Sequence, residues 1–167
     1  MRSQFEHCSV IWRPLDLEYI NKFKALQKRA VKWILFEQFE HYSDEDYILK
    51  LHKLDLLPMN SKFFFSDILL FHRIVYNNIC IKMPEYIVLD INEYERPSRS
   101  TRNGSSDYLK YRSTVRPNLV AFKNSFFSRS IPEWNNLPLD IREISSYNIF
   151  KDALKAHLWS VLISKPD

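Results

Sequence analysis

Three arginines recur at every third position near the middle of the chain: Arg96, Arg99 and Arg102. Serine and threonine hydroxyls lie between them. Guanidinium groups and hydroxyls both donate hydrogen bonds to phosphate oxygens, so this spacing suits a nucleic-acid backbone. Tyr108 and Tyr111 follow, and their rings provide flat surfaces on which an unpaired base can stack. The pattern predicts contact with phosphates and bases.

Positive charge is concentrated around these arginines. Residues 96–132 contain eight basic side chains and one acid, a net charge of +7, whereas the whole chain carries +4 and the remainder therefore −3. Lys110, Arg112 and Arg116 continue the basic series. We interpret the segment as a nucleic-acid-binding region. The alternative is a solvated loop whose charge only aids solubility or pairs with acids elsewhere.

A second basic surface is predicted on a long helix that begins after Asp16. At 100° per residue, one broad arc of this helix is apolar except for Gln27. The residues of this arc are Leu17, Ile20, Phe23, Leu26, Gln27, Ala30, Val31, Trp33 and Ile34. The basic candidates on the other side are Lys24, Lys28, Arg29 and Lys32. This row suits either a surface that follows a nucleic-acid backbone or an ordinary solvated helix face.

Residues for other kinds of chemistry are missing from the sequence. Gly104 is its single glycine, which excludes both the glycine-rich dinucleotide fingerprint and the phosphate-binding loop of ATPases. The acidic run at 44–46 follows Ser43 and is typical of a helix start. The histidines do not occur at metal-ligand spacing, and no serine has the glycine-flanked elbow of hydrolases. We expect no catalytic residue, metal, cofactor or small-molecule substrate.

Prolines divide the sequence into segments with helical periodicity. Asp16 is expected to cap the long helix, which would run to about residue 39, and Ser43 to open a short helix through a capping box. A third helix is predicted over 63–78, capped by Asn60 or Ser61. Helical periodicity resumes at residue 120, and Ser145 or Ser146 is expected to cap a last helix.

The predicted fold is mainly α: a bundle of about five or six helices with one long basic irregular segment and at most a short strand pair, its strand within 108–112. We divide it into an N-terminal helical part at 1–89, a basic loop at 90–119 and a C-terminal helical part at 120–167. The predicted core comprises Phe23, Leu26, Ile34, Ile68, Phe71, Phe126, Trp134, Phe150 and Leu154.

The expected compartment follows from three observations. Cys8 and Cys80 do not form a disulfide framework, the first residues lack a signal-peptide pattern, and the most apolar stretch, 63–81, is interrupted by charged residues. We expect an intracellular protein of the nucleus or cytoplasm, neither secreted nor bound to a membrane.

Two series of short motifs resemble one protein family. The first series is Cys8-Ser-Val-Ile-Trp12-Arg-Pro14, Ile20, Leu26-Gln27-Lys28-Arg29-Ala30 and Trp33-Ile34. It resembles a stretch just downstream of the polymerase core in reverse transcriptases of non-LTR retrotransposons of the jockey kind. His7-Cys8 replaces the tyrosine-glycine pair of the family phrase, and Lys24 stands where a glutamate is usual.

The second series is similar to the end of the same open reading frames, in the same order. It consists of Arg99-Ser-Thr-Arg102, Asn124-Ser-Phe-Phe-Ser-Arg129, Trp134-Asn135-x-Leu137-Pro138-x-x-Ile141-Arg142, Ser145 or Ser146, and Phe150-Lys151-x-x-Leu154-Lys155-x-x-Leu158. Together the two series cover about residues 5–160. No single motif is specific, and the resemblance rests on their order.

The resemblance implies a C-terminal fragment with the end of the thumb and the helical region after it. The palm motif of the family contains an Asp-Asp dipeptide that does not occur here, so the chain alone is expected to be inactive as a polymerase. Its partners would be the RNA or DNA backbone during target-primed reverse transcription, and the missing polymerase core. Two alternatives remain: a helical protein-interaction module, or a decayed remnant without independent activity. The motif at Trp134 is expected to act in packing.

Overall fold

Helices dominate the computed structural model, which describes residues 8–14, 16–35, 43–89, 109–111, 122 and 124–164. In chain order, these residues form α1 (Ser9–Trp12), α2 (Leu17–Ile34), α3 (Asp44–Lys53), α4 (Met59–Val75), β1 (Ile87–Leu89), β2 (Leu109–Tyr111), α5 (Phe126–Asn135), α6 (Leu139–Arg142) and α7 (Tyr147–Ser164). Here α1 and α6 are short helices of four residues, and the other five have ten or more. The predicted mainly α fold with a short strand pair is confirmed.

The predicted caps of α2 and α3 are present. An Asp16 side-chain oxygen accepts a hydrogen bond from the Glu18 backbone N–H at 2.9 Å. The Ser43 hydroxyl accepts from the Asp46 N–H at 3.1 Å and donates to the Asp46 carboxylate at 2.8 Å. Each cap satisfies a backbone donor that has no partner within the helix.

Three helix boundaries differ from those predicted. Helix α2 ends at Ile34, before residue 39, and 36–42 lie outside the described residues. Helix α4 runs over Met59–Val75. It begins directly after Pro58, whose carbonyl accepts from the Lys62 N–H at 2.8 Å, so Asn60 and Ser61 are helical residues and not caps. A proline is compatible with the first turn because its fixed φ is close to the helical value.

Two helices end at a left-handed residue that is not glycine. Asp55 after α3 and Asn77 after α4 both have a φ of 53°. The next N–H then reaches back five residues, from Leu56 to the Leu51 carbonyl and from Asn78 to the Arg73 carbonyl. Glycine is the usual residue at such C-terminal positions, and Asn and Asp are the residues that tolerate them next best. The chain therefore ends these two helices without using glycine.

Backbone contacts divide the chain into two compact units: Met1–Asp67 with Lys151–Asp167, and Ile68–Phe150. In the first unit, Trp12, Phe23 and Phe63 pack as a cluster of three rings with centroids 5.6–5.9 Å apart. An ion pair lies in the same unit, where the half-buried Arg13 guanidinium donates to the buried Asp67 carboxylate at 2.7 Å. The predicted division at residues 89 and 119 stays a prediction.

In the second unit, Phe71 is the centre of the aromatic packing. Its ring centroid lies 5.5 Å from that of Trp134 and 6.2 Å from that of Phe126. The short strands belong to this unit and pair antiparallel, with Val88 opposite Lys110. This pairing confirms the strand predicted within 108–112.

The predicted core is correct at its centre and wrong at one edge. Ile68, Phe71, Trp134, Phe150 and Leu154 are buried, and Phe23 and Phe126 are half-buried. By contrast, Leu26 is 48% exposed and Ile34 is 53% exposed, because neighbouring elements of the described chain cover only part of the broad apolar arc of α2.

No helix of the described residues is both long and apolar enough to cross a lipid bilayer.

Candidate functional site

One carboxylate binds two of the predicted basic residues. The Lys24 ammonium lies 2.7 Å from one Asp44 oxygen, and the Lys28 ammonium lies 2.7 Å from the other. Asp44 is the first residue of α3, so these contacts join the start of that helix to the basic face of α2. The Lys28 ammonium also lies over the Tyr47 ring, 5.1 Å from its centroid. Lys24 and Lys28 are therefore held in place by a shared counter-ion, the Asp44 carboxylate.

The hydrogen bonds from Lys24 and then Lys28 lower the pKa of Asp44 from 3.8 to about 2. Burial opposes this shift, and the attraction of the two ammonium charges adds to it. The carboxylate is ionised at neutral pH, and the three side chains together carry a net charge of +1.

The other two basic candidates of α2 are placed differently. Arg29 is exposed and makes no ion pair with any residue that the structure describes. Lys32 is half-buried in the last turn of α2, where a positive charge interacts favourably with the helix dipole. Arg29 is thus the predicted basic residue that offers an uncompensated charge on this helix.

Most of the predicted basic segment lies outside the described residues, including Arg96, Arg99, Arg102, Arg112 and Arg116. The backbone of Lys110 is described and lies in β2. Since β1 pairs with β2, residues 90–108, which include the three regularly spaced arginines, connect two backbone segments that are hydrogen-bonded to each other. The ends of this connection are therefore held about one strand spacing, roughly 5 Å, apart.

On the apolar side of α2 the structure contains a groove, a feature that the sequence did not predict. The cavity has a volume of about 650 Å³. Residues of α2 form most of its lining, and the chain just after α3 and the start of α4 complete it: Phe23, Leu26, Gln27, Arg29, Ala30, Val31, Trp33, Ile34, Leu56 and Met59. Trp33, at 78% exposure, is its most accessible large apolar side chain. We call this feature the α2 groove.

Gln27, which lines the α2 groove, forms three side-chain hydrogen bonds. Its side-chain N–H donates to the Leu57 carbonyl at 2.9 Å. Its side-chain oxygen accepts from the Tyr47 hydroxyl at 2.8 Å and from the Met59 N–H at 2.9 Å. These bonds fix the segment after α3 against α2. The signal in the sequence was a glutamine within an otherwise apolar arc.

His72 is fully buried in the second unit. Its Nε2 donates to the Ile144 carbonyl at 2.7 Å, while its Nδ1 is buried without a hydrogen-bond partner. The ring is stacked on Phe150, with centroids 4.0 Å apart. Burial lowers the pKa of His72, and the bond to Ile144 opposes that shift. The side chain is therefore a neutral structural histidine.

The described residues contain no group of three or more His, Cys, Asp or Glu side chains that could hold a metal ion.

The motif at Trp134 acts in packing, as expected. Trp134 and Leu137 are both buried, and the Leu137 N–H donates to the Trp134 carbonyl at 3.1 Å. This bond closes the turn between α5 and α6, and the Trp134 ring also contacts Phe150 at the start of α7, with centroids 5.7 Å apart.

No protein-family model, curated protein or solved structure matches the chain.

Proposed function

We propose that the chain is a non-catalytic, nucleic-acid-binding part of a non-LTR retrotransposon reverse transcriptase, from the region that follows the polymerase core. The observation that carries the proposal is the concentration of charge, with eight basic residues and one acid over 96–132. Such a segment neutralises phosphates and binds them largely without regard to base sequence. The ordered motif series supports the assignment to this family.

The helical fold and the strand pair are compatible with this role. Pairing of β1 with β2 restrains both ends of the connection that contains Arg96, Arg99 and Arg102. A restrained connection loses less conformational entropy on binding than a free tail of the same length. These arginines, with Lys110, Arg112 and Arg116, would bind the backbone of RNA or DNA during target-primed reverse transcription.

The basic face of α2 would contribute less than the basic segment. Lys24 and Lys28 are already paired with Asp44, so binding a phosphate requires them to share or exchange this partner. Arg29 has no such competitor among the described residues, and we propose that it is the main phosphate contact of α2.

Fluorescence anisotropy with a labelled RNA duplex, at a fixed salt concentration, tests the proposal on the full chain. The variant R96A/R99A/R102A is expected to weaken binding at least tenfold, and equally for duplexes of unrelated sequence. The matched control is K53A/K82A/K151A, which removes the same charge from three exposed lysines outside the proposed surface. Equal losses in both variants would contradict a localised binding segment.

A further inference from the structure

The α2 groove exposes an apolar surface at helical spacing. Leu26, Ala30, Trp33 and Ile34 are all exposed, and their positions i, i+4, i+7 and i+8 place them on one side of the helix. Contiguous apolar patches on a protein surface commonly mark sites of interaction with other molecules. This observation is independent of the basic segment.

The walls of the α2 groove leave few polar groups for a ligand. Leu56 and Met59 line the groove together with residues of α2. Gln27 already uses its amide N–H and its oxygen in bonds to Leu57, Tyr47 and Met59. A ligand with polar groups facing the groove would therefore lose their hydrogen bonds to water without replacing them. The lining favours apolar side chains.

The length of the groove suits a helix. From Phe23 to Ile34, α2 advances about 16 Å, or roughly three turns. Three turns are enough for a partner helix to place side chains at positions i, i+4 and i+7 against this surface, as in known cases of helix-in-groove binding. A cavity of about 650 Å³ accommodates a few such side chains.

The positive charge at the α2 groove favours an acidic partner. Among the described residues, Arg29 is the single ionisable one in the lining, and it makes no ion pair with any of the others. Elsewhere on α2, Lys22 pairs with Glu18, and Lys24 and Lys28 pair with Asp44, so Arg29 supplies the charge at the groove. A second copy of α2 would therefore bring like charges together, whereas an acidic helix would complement them.

We propose that the α2 groove binds an acidic amphipathic helix of a partner protein. Its apolar side chains would pack against Leu26, Trp33 and Ile34, and a carboxylate would pair with Arg29. The inference goes beyond the proposed function, since it concerns a protein partner and a surface that shares only Arg29 with the proposed nucleic-acid contacts.

Two designed peptides test the proposal with the full chain. Both have 18 residues with leucines at i, i+3, i+4 and i+7, and they differ only in carrying glutamate or lysine at the flanking positions. The glutamate peptide is expected to bind at least tenfold more tightly and to shift Trp33 emission to shorter wavelength, a shift that W33F loses. R29E is expected to reverse the preference between the peptides. Equal binding of both peptides by the wild-type chain would overturn the proposal.

The experiment also distinguishes other occupants of the groove. If light scattering shows a dimer that L26S/W33S abolishes, the groove binds a second copy and the proposal is wrong. Acrylamide quenching is also compared between the free wild-type and W33F chains, and the difference reports on Trp33. If acrylamide does not quench Trp33, another part of the chain covers the groove and the proposal is again wrong. RNA binding is measured on the same samples, so failure of the groove is separable from failure of the basic segment.

Discussion

The Lys28 ammonium lies 2.7 Å from an Asp44 carboxylate oxygen, and this pair joins the basic face of α2 to the first turn of α3. The other oxygen of the same carboxylate binds Lys24. The basic row of α2 looks uncompensated in the sequence, but in the structure Asp44 of α3 is the counter-ion of two of its members. If the chain binds nucleic acid as proposed, the contribution of Lys24 and Lys28 depends on whether Asp44 retains them.

Replacing Asp44 by asparagine should strengthen RNA binding. The variant D44N releases both lysines and removes one negative charge, and one additional phosphate contact at 0.15 M salt increases affinity about fivefold. E45Q is the matched control, because Glu45 is exposed in the same turn of α3 and has no ion pair among the described residues. The affinities are compared by fluorescence anisotropy. An equal gain in E45Q would show that net charge alone matters, and that pairing of the lysines does not.

The Asp44 carboxyl should titrate with a pKa of about 2, below its ordinary value of 3.8. Because the folded-state pKa is lowered, the contribution to stability is complete above about pH 4 and is lost as the pH falls through 2. NMR titration of the carboxyl carbon measures this midpoint directly. The variant K24A/K28A should return it towards 3.8, and an unchanged midpoint in that variant would exclude the two lysines as its cause.

His72 should make the folded state less stable in mild acid. Its pKa is lowered by burial, so the unfolded chain binds a proton more readily than the folded chain does. The contribution of His72 to the free energy of unfolding should therefore be constant well above pH 6.5 and decrease as the pH falls through and below this value. Urea unfolding at pH 8, 7, 6 and 5.5 measures this decrease.

Two variants test whether His72 causes that pH dependence. H72F removes it, at a cost of about 1–3 kcal/mol at pH 8, because the half-buried Ile144 carbonyl loses its donor. H52Q should retain it, since His52 is exposed on α3. If H72F keeps the slope of the wild-type chain, another group is responsible.

Gln27 should be the polar residue of α2 that is most sensitive to substitution. Q27L removes three hydrogen bonds and leaves the Tyr47 hydroxyl without the acceptor that it has in the wild-type chain. We expect a loss of about 3 kcal/mol in the free energy of unfolding, measured with urea. N21A, at an exposed position of the same helix, should change it by no more than about 0.5 kcal/mol. Similar losses in both variants would refute the role of Gln27.

The sequence predicted the local features of the fold well. Asp16 and Ser43 were identifiable as caps because capping depends on residues within one turn of each other. Phe71 and Phe150 were identifiable as core residues because they belong to apolar series with helical periodicity. The left-handed positions of Asp55 and Asn77 were not predicted, since several nearby polar residues could have ended those helices.

Features that depend on distant parts of the chain were not predictable in the same way. Periodicity identified the apolar arc of α2 but not how much of it neighbouring elements cover, so Leu26 and Ile34 were wrongly placed in the core. Asp44 was interpreted through its own helix, because nothing in the sequence shows that α3 begins beside Lys24 and Lys28. The same limit applies to the α2 groove, which requires Leu56 and Met59 to line one cavity with residues of α2.

Salt dependence of RNA binding is the most direct test of the central claim, that the chain binds nucleic-acid backbone through its basic segment. We predict that the affinity of the full chain for an RNA duplex falls tenfold or more between 50 and 200 mM salt. The slope of log K against log salt should decrease by about 1 for each of Arg96, Arg99 and Arg102 that is replaced by alanine. An affinity that does not change over this range, or a slope unaffected by the three substitutions, would contradict the claim.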